Sequence, residues 1–386
     1  MKSYHQILIH LIMIVGLLSC ASKEGSIFSS EDKKKDDIEK SFNLSGDQFK
    51  KFKVKEVPVS KETEIKTSKK VEDKKINLPV KVLERKKKPV SKKNLKAQKK
   101  SKTNIKEDKT KTTKALTQER PSSTPKVIKS QEKTIEEISE EYPPEFLKYD
   151  EQAKHVWEKY SRLVFPGEES VFVVRFLGIV AGHIKIKTHG VVKVGDREAY
   201  HYSARLKSAE YYNFVYSLDD GLDSFVDVET LLPIKYTLRQ RESGQSVDDL
   251  QLFDNQTQKS YFWYKRLKKG QTKKIEKETL IPRLFQDSFS ALMFVRGLPM
   301  IKDSIYKFPI VTRGKIWILE ARVHGSDEVK VKGEWVKSWK IKAVTRFPGV
   351  LKKKGDILFW YSKDARRSLL KFKAKVKIGS IEGELQ

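Results

Sequence analysis

One carboxylate and two hydroxyl groups lie close together in the sequence, at Asp287, Ser288 and Ser290. In an enzyme, a carboxylate beside a serine could help to activate that serine as a nucleophile. Such catalysis also needs a general base and a group that orients it, and the chain offers no ordered set of the three. An aspartate just before a helix more often accepts hydrogen bonds from the first backbone N–H groups. The pattern therefore favours a helix cap over a catalytic centre.

Histidines are spread along the chain rather than grouped. His183, His189, His201 and His324 show no helical His-x-x-x-His spacing and no carboxylate pair at ligand spacing. The chain also has no glycine-rich phosphate loop and no Gly-x-Ser-x-Gly elbow. The sequence therefore predicts no catalytic residue, no metal site and no cofactor.

Cys20 carries the one thiol of the chain. It follows residues 7–18, which are apolar except for His10 and have the length of the hydrophobic region of a signal peptide. Leu17-Leu18-Ser19-Cys20 resembles the lipobox of bacterial lipoproteins, in which the cysteine receives diacylglycerol before cleavage. We therefore expect residues 1–19 to be a lipoprotein signal peptide and Cys20 to be lipidated. The alternative is an uncleaved anchor or a buried N-terminal helix.

The residues after Cys20 bear on where such a protein is delivered. Ala21 and Ser22 follow the cysteine with no aspartate, which resembles lipoproteins sorted to the outer membrane. The expected location is the cell envelope, with a lipid anchor in the outer membrane and the protein facing the periplasm. The membrane is then a partner through the anchor, and export argues against nucleic acid despite a formal net charge of +29.

Residues 20–140 have the composition of a disordered, lysine-rich tether. Of the 39 aromatic residues in the chain, 34 lie after residue 140, so the preceding part has little apolar area to bury. In the simpler interpretation, this arm is a solvated spacer. In the other, its lysines bind peptidoglycan or anionic lipid by salt-sensitive attraction.

Residues 141–386 alternate apolar and polar side chains, as antiparallel strands with one dry face do. Dipeptides such as Asp220-Gly221 and Ser243-Gly244 indicate turns. Helical spacing is found after Asp150, a candidate N-cap, and again over residues 286–296. The predicted fold is mostly β (α+β): a curved antiparallel sheet or partly open barrel, with one N-terminal helix and one inserted helix that covers the concave face.

Two groups of side chains are candidates for binding. Tyr261-Phe262-Trp263-Tyr264 is apolar on both faces, so it lies under the inserted helix or lines an apolar groove. Together with Phe289 and Met293 of the inserted helix, these four residues are the candidate site for an apolar ligand. The second group is the polar side of the last long strand, which could face an anionic surface through Lys371, Lys373, Lys375 and Lys377.

Several short motifs, in a fixed order over roughly residues 165–386, resemble an exported bacterial family known as domain of unknown function 3108. The residues that carry the resemblance are Gly178, Gly182, Gln286, Asp287, Ser290, Arg296, Trp360 and Asp364. The resemblance implies export and a mostly β fold with a barrel-like sheet. It implies no activity, because the family has none established.

Three hypotheses follow for function. The first is a non-catalytic cell-envelope lipoprotein with a β-rich domain that binds a lipid, another apolar ligand or an envelope component. The second is a structural tether whose basic arm binds peptidoglycan or anionic lipid. The third is an exported hydrolase, for which no ordered catalytic group has been found.

Overall fold

The computed structural model describes residues 38, 40–42, 44, 46–55, 142–214, 216–346, 354–376 and 379–386. The predicted signal peptide, Cys20 and most of the predicted lysine-rich arm lie outside these residues. None of the helices formed by the described residues has the length and apolar character needed to cross a membrane.

The described residues form one antiparallel sheet of 15 strands. The strands are β1 (Val54–Lys55), β2 (Glu169–Phe176), β3 (Ile179–Val194), β4 (Arg197–Ser208), β5 (Asp219–Asp227), β6 (Pro233–Glu242), β7 (Gln245–Asp254), β8 (Lys259–Lys268), β9 (Gln271–Leu280), β10 (Ile305–Thr312), β11 (Lys315–Val331), β12 (Glu334–Arg346), β13 (Lys354–Ser362), β14 (Leu369–Lys375) and β15 (Ser380–Leu385). The predicted mostly β class with an antiparallel sheet is confirmed.

The sheet is built from two meanders that meet in the middle. Each strand from β2 to β9 pairs with the next, as does each strand from β10 to β15. The meanders are joined where β15 pairs with β2, with Gly383 opposite Val174. The edge strands β9 and β10 do not pair, so the sheet is not closed into a barrel. Near this opening, the Nζ of Lys277 donates a hydrogen bond to the carbonyl of Gly314 at 3.0 Å.

Two α-helices are found among the described residues, α1 (Pro144–Trp157) and α2 (Ser290–Arg296), in the two places where helices are predicted. The predicted start of α1 is wrong, because Asp150 lies inside the helix and does not cap it. Proline is tolerated in the first turn of a helix, because a backbone N–H at that position would have no partner within the helix. Accordingly, α1 begins at Pro144. The Asp150 carboxylate instead accepts a hydrogen bond from the backbone N–H of Arg283 at 2.8 Å.

The two faces of the sheet have different coverings. The face that packs against α2, called here the helix-side face, holds the main hydrophobic core, with buried side chains from both meanders such as Phe172, Phe253 and Phe308. Six of the seven α2 residues are buried. The prediction that the inserted helix covers a dry sheet face is therefore confirmed.

The opposite face, called here the outer face, is covered in part by residues 46–55. A 3-10 helix, Asp47–Phe52, leads into β1, where Val54 lies opposite Val194 of β3. Phe52 is only 1% exposed and packs in a second cluster with Leu250 and other residues of the sheet. The prediction that residues 20–140 form an arm without packed structure is wrong for residues 46–55. Averaging the composition over a long lysine-rich stretch hid the three apolar side chains of this segment, Phe49, Phe52 and Val54.

Candidate functional site

An apolar pocket lies on the helix-side face, between α2 and the sheet. Its cavity volume is about 40 Å³, and the empty space is about 590 Å³ when the solvent at its mouth is included. Strands of both meanders and the start of α2 contribute to its wall. Among the lining residues are Ala204, Leu206, Leu222, Leu238, Phe359 and Phe372. Alternate residues of neighbouring strands share a face, and this is why Leu222 and Leu238, paired across β5 and β6, both face the pocket.

Asp220 is the one charged side chain among the residues described as lining this pocket. It is paired with Leu206 of β4 and is 6% exposed. Asp220-Gly221 is predicted to form a turn, but both residues lie inside β5, because β5 is paired on both sides, with β4 and with β6. A local turn signal is overridden when a strand can satisfy its backbone groups on two neighbours.

A polar group of side chains, called here the carboxyl cluster, surrounds Asp220 and consists of Asp220, Gln240, Glu242 and Tyr216. The Nε2 of Gln240 donates to Asp220 Oδ2 at 3.2 Å and to Glu242 Oε1 at 3.0 Å. The hydroxyl of Tyr216 donates to Glu242 Oε2 at 2.7 Å. Two carboxyl groups therefore share one amide at the edge of an apolar pocket.

The surroundings of the carboxyl cluster change its acid–base properties. Burial, followed by repulsion from Glu242, raises the pKa of Asp220 to about 7. Burial and the hydrogen bond to Glu242 raise the pKa of the Tyr216 hydroxyl above its usual range. Asp220 is therefore present in both its protonated and ionised forms near neutral pH.

A second pocket, of about 380 Å³ including its solvent, lies at the C-terminal end of α2 and is lined in part by Met293 and Arg296. Arg296 is 4% exposed and forms an ion pair with Glu168. The hydroxyl of Ser368 also donates to Glu168 Oε1, at 3.0 Å. With the arginine and the glutamate neutralising each other, this polar group holds α2 against the sheet.

The start of α2 is organised by Asp287. Asp287 Oδ1 accepts hydrogen bonds from the backbone N–H groups of Phe289 and Ser290 at 2.7 and 2.8 Å, and the backbone N–H of Asp287 donates to Ser290 Oγ at 2.9 Å. The hydroxyl of Ser224 on β5 donates to Asp287 Oδ2 at 2.6 Å. Burial raises the pKa of Asp287. As predicted, the Asp287 carboxyl accepts hydrogen bonds from backbone N–H groups at the start of α2, although the N-cap residue itself is Phe289 and not Asp287 or Ser288. The carboxyl also ties the helix to β5.

Gln286 fastens the segment before α2 to the sheet. Its Nε2 donates to the carbonyl of Leu231 at 2.7 Å. Its backbone N–H donates to the carbonyl of Pro309 at 3.0 Å, and its carbonyl accepts from the N–H of Val311. Gln286, Asp287, Ser290 and Arg296 therefore position α2, which forms part of the pocket wall.

The four remaining motif residues shape the sheet. Gly178 has φ +86° in the turn before β3, and a Cβ on Gly182 would lie 2.3 Å from the carbonyl oxygen of Lys207. Trp360 Nε1 donates to Asp327 Oδ2 at 2.9 Å. Asp364 Oδ1 accepts from the backbone N–H groups of residues 366 and 367, both at 2.9 Å, and so fixes the turn before β14.

The comparisons with known proteins agree with this arrangement of motifs. A family model described as "Protein of unknown function (DUF3108)" matches residues 171–386. The chain belongs to this family. The matched region contains α2, the pocket and the carboxyl cluster, whereas residues 46–55 and α1 precede it.

The chain is also similar to a solved structure described as a beta-barrel-like protein of domain of unknown function DUF1849 from Brucella abortus. The identity is 10% and the TM-score is 0.38, over 58% of this chain and 97% of that chain. No curated protein matches the sequence.

The DUF3108 domain does not bring the predicted ligand-binding residues into one site. Tyr261 and Trp263 lie on the outer face, with their ring centroids 5.7 and 5.2 Å from that of Phe49. Phe262 and Tyr264 form a separate small cluster with Val247. Phe289 lines the apolar pocket and Met293 the second pocket. The prediction of one site fails because the pleat sends successive side chains to opposite faces, and residues 46–55 cover one of those faces.

The predicted cationic surface of the DUF3108 domain is largely neutralised. Lys371 Nζ lies 2.7 Å from Glu384 and 3.2 Å from Glu382, and Lys373 Nζ lies 2.6 Å from Glu382. Burial alone would lower the pKa of Lys371, but its hydrogen bonds to these glutamates raise it. Lys375 is exposed, and Lys377 lies outside the described residues. Lys371 and Lys373 are therefore paired with carboxylates of β15, which leaves less charge for an anionic surface, and the binding of such a surface stays a prediction.

A row of polar side chains on the outer face was not predicted. His189 Nε2 lies 2.8 Å from Ser203 Oγ, and His201 Nε2 lies 2.8 Å from Asp223 Oδ1. The two imidazoles stack with their centroids 4.1 Å apart. Burial, followed by the nearby His201, lowers the pKa of His189 to about 4. The period-two spacing of His201 and Ser203 could have indicated a shared face.

This row does not form a catalytic triad, because the histidine that contacts the serine is not the one that contacts the aspartate. Within the part of the chain that the structure describes, no group of three or more His, Cys, Asp or Glu side chains could hold a metal ion.

Proposed function

We propose that this chain is a non-catalytic lipoprotein of the cell envelope whose DUF3108 domain binds a lipid or another apolar ligand in the pocket beside α2. The apolar pocket is the observation that carries the proposal. Its wall is apolar apart from one carboxyl group, which is the composition expected of a site that orients an apolar ligand by a single polar end.

The location in the proposal rests on the N-terminal sequence. Residues 7–18 and Cys20 have the length and order of a lipoprotein signal, and lipidation would anchor the chain in the outer membrane facing the periplasm. The lysine-rich arm is then the part that would contact peptidoglycan or anionic lipid, since Lys371 and Lys373 of the sheet are already ion-paired.

A hydrolase has less support from the described residues. Asp287 and Ser290 are both engaged in capping α2, and Ser224 bonds to the same carboxyl group. A serine nucleophile needs a base within hydrogen-bond reach and a group that orients the base. The serine and histidine pair on the outer face has the base, but its histidine is stacked on a second imidazole.

The test uses the full chain and the neutral fluorophore N-phenyl-1-naphthylamine, whose emission rises in apolar surroundings. We expect saturable binding to the wild type and loss of binding in Ala204→Trp, which fills the pocket from β4. Leu267→Trp is the matched control, because it adds the same ring at an exposed position of β8. Thermal unfolding of both variants shows whether they are folded. Equal binding by a folded Ala204→Trp chain would exclude the pocket as the site.

Lipidation is tested separately, by mass spectrometry of the N-terminal peptide of the protein made in a bacterium that processes lipoproteins. A diacylated Cys20 at the mature N-terminus is expected, and an unmodified Cys20 behind an intact Met1 would contradict the anchor.

A further inference from the structure

We infer that the pocket prefers amphiphiles with a cationic amine head, which the carboxyl cluster receives while the alkyl chain lies along the apolar wall. This inference rests on the proposed function, because it names the class of ligand for the same pocket. It is carried by the position and the hydrogen bonding of the carboxyl cluster.

The carboxyl cluster and the apolar wall belong to the same strands. Asp220 is followed on the helix-side face of β5 by Leu222, and Leu222 is paired with Leu238 of β6. Gln240 and Glu242 continue the same face of β6 beyond Leu238. A chain lying against the leucines would therefore reach the cluster with its end.

The carboxyl cluster has more acceptors than donors. Both carboxyl groups accept from the same Gln240 amide nitrogen, and the oxygen of that amide has no hydrogen-bond partner among the described residues. Gln240 is only 2% exposed, so bulk water does not compensate this oxygen. The amide orientation follows from its neighbours, since its oxygen would be repelled if it were turned toward two carboxylates. A ligand that brings donors would complete the cluster.

The charge of the cluster selects among possible heads. The groups that donate to Asp220 and Glu242 are neutral: two side-chain amides, of Gln240 and Gln245, one phenol and the backbone N–H of Arg241. Repulsion from Glu242 contributes to the raised pKa of Asp220. A cation placed between the carboxylates removes this repulsion, whereas a carboxylate or phosphate head would increase it.

A primary ammonium fits both requirements. It carries three N–H donors and one positive charge, which matches two carboxylates and one free amide oxygen. A hydroxyl head offers one donor and no charge, so it would satisfy the cluster only in part. The order of preference expected from the site is therefore amine, then alcohol, then carboxylate, at equal chain length.

The experiment compares 1-octylamine, 1-octanol and octanoate as competitors of N-phenyl-1-naphthylamine on the full chain at pH 7.5. For the wild type we expect the amine to compete at least about tenfold better than the alcohol, and octanoate to be the weakest. In Asp220→Asn and Glu242→Gln, the advantage of the amine should fall by about tenfold while fluorophore binding is retained. Asp219→Asn is the matched control, since Asp219 is the exposed neighbour of Asp220 on the same strand.

The outcomes separate the two proposals. If the fluorophore binds but octanoate competes as well as octylamine, or if the two cluster variants keep the amine preference, the head-group inference is wrong and the apolar pocket remains. If the fluorophore does not bind the wild type, the proposed function itself fails. Retained fluorophore binding also shows that a variant is folded.

Discussion

Arg296 on α2 and Glu168, just before β2, form a buried ion pair in which Arg296 Nη2 lies 2.9 Å from Glu168 Oε1. The same guanidinium donates from Nε to the carbonyl of Arg366 at 2.7 Å. One side chain therefore holds α2 to two places on the sheet. Since α2 forms part of the wall of the apolar pocket, this ion pair also positions the candidate site.

Replacing Arg296 with methionine should lower the free energy of unfolding by about 3 to 5 kcal/mol, because the Glu168 side chain, only 12% exposed, would lose its cation. Urea unfolding of the full chain measures the change. The exposed pair of Arg175 and Glu384, 3.8 Å apart, provides the control, and Arg175→Met should cost less than about 1 kcal/mol. Similar losses in the two variants would show that the Arg296 ion pair has no special role.

Asp220 should make the stability of the domain depend on pH. Its pKa is about 7 in the folded chain and 3.8 as the ordinary value, so the folded state binds the proton more tightly. Its contribution to stability is complete below about pH 4 and is lost as the pH rises through 7. Glu242 and Asp219 are the titratable groups whose charge acts on Asp220, and the hydroxyl of Tyr216 donates to Glu242.

The measurement is the melting temperature of the wild type and of Asp220→Asn between pH 4 and 8. The difference between them should move in favour of the asparagine variant as the pH rises. Asp223→Asn is the comparison variant, for which the opposite pH dependence of stability is expected. Despite burial, hydrogen bonds from His201 and Arg205 lower the pKa of Asp223 to about 2. Asp223→Asn should therefore be destabilising near pH 7, and a pH-independent difference for Asp220→Asn would contradict the raised pKa.

A methyl group at Gly182 should destabilise the sheet, because its Cβ would lie 2.3 Å from the carbonyl oxygen of Lys207 on the neighbouring strand. We expect Gly182→Ala to cost about 1 to 3 kcal/mol, the usual effect of overpacking. Gly190→Ala is the matched control, because it is the same substitution on the same strand. Nothing lies within 4 Å of the Cβ that it adds, so little loss of stability is expected. Chemical denaturation of both variants tests the prediction, and equal stabilities would refute the close approach.

Removal of the Phe52 ring should release residues 46–55 from the outer face. Phe52 packs with Leu250 and Trp263, so Phe52→Ala would let water reach the indole and shift its fluorescence to longer wavelength. The cost should be about 3 kcal/mol or more if this segment unfolds together with the sheet. The exposed Lys50, replaced by alanine, is the control. Unchanged emission and stability in Phe52→Ala would show that the segment adds nothing to the fold.

The sequence predicts the sheet well because alternation is a local signal. Strands such as β4, β11 and β14 have apolar residues on one face and polar residues on the other. In the structure β4 and β14 pair antiparallel with strands adjacent in the chain, as this pattern predicts. The existence of α2 is predicted for the same reason, since Asp287 and Ser290 lie within one helical turn of each other, but the helix begins at Ser290 and not at residue 286.

The candidate site is much less visible in the sequence. Asp220 and Glu242 are ordinary acidic residues until the fold buries them on one face and lets them share an amide. The sequence shows that Tyr261 and Trp263 give β8 an apolar outer face. The ring that covers them belongs to Phe49, more than 200 residues earlier in the chain, so no local pattern predicts the contact. Burial therefore creates the carboxyl cluster, and long-range packing covers Tyr261 and Trp263. Local residue spacing predicts neither feature.

The packing of residues 46–55 on the sheet changes how far a lipid on Cys20 would allow the domain to travel. Ile38 already packs against the same cluster, so only 18 residue steps would separate the acyl chains on Cys20 from the first packed residue described, a reach of at most about 65 Å. The residues between 55 and 142 begin and end on the same folded unit. Because these residues follow the packed segment in the chain, they add nothing to the length of the covalent path between the bilayer and the domain.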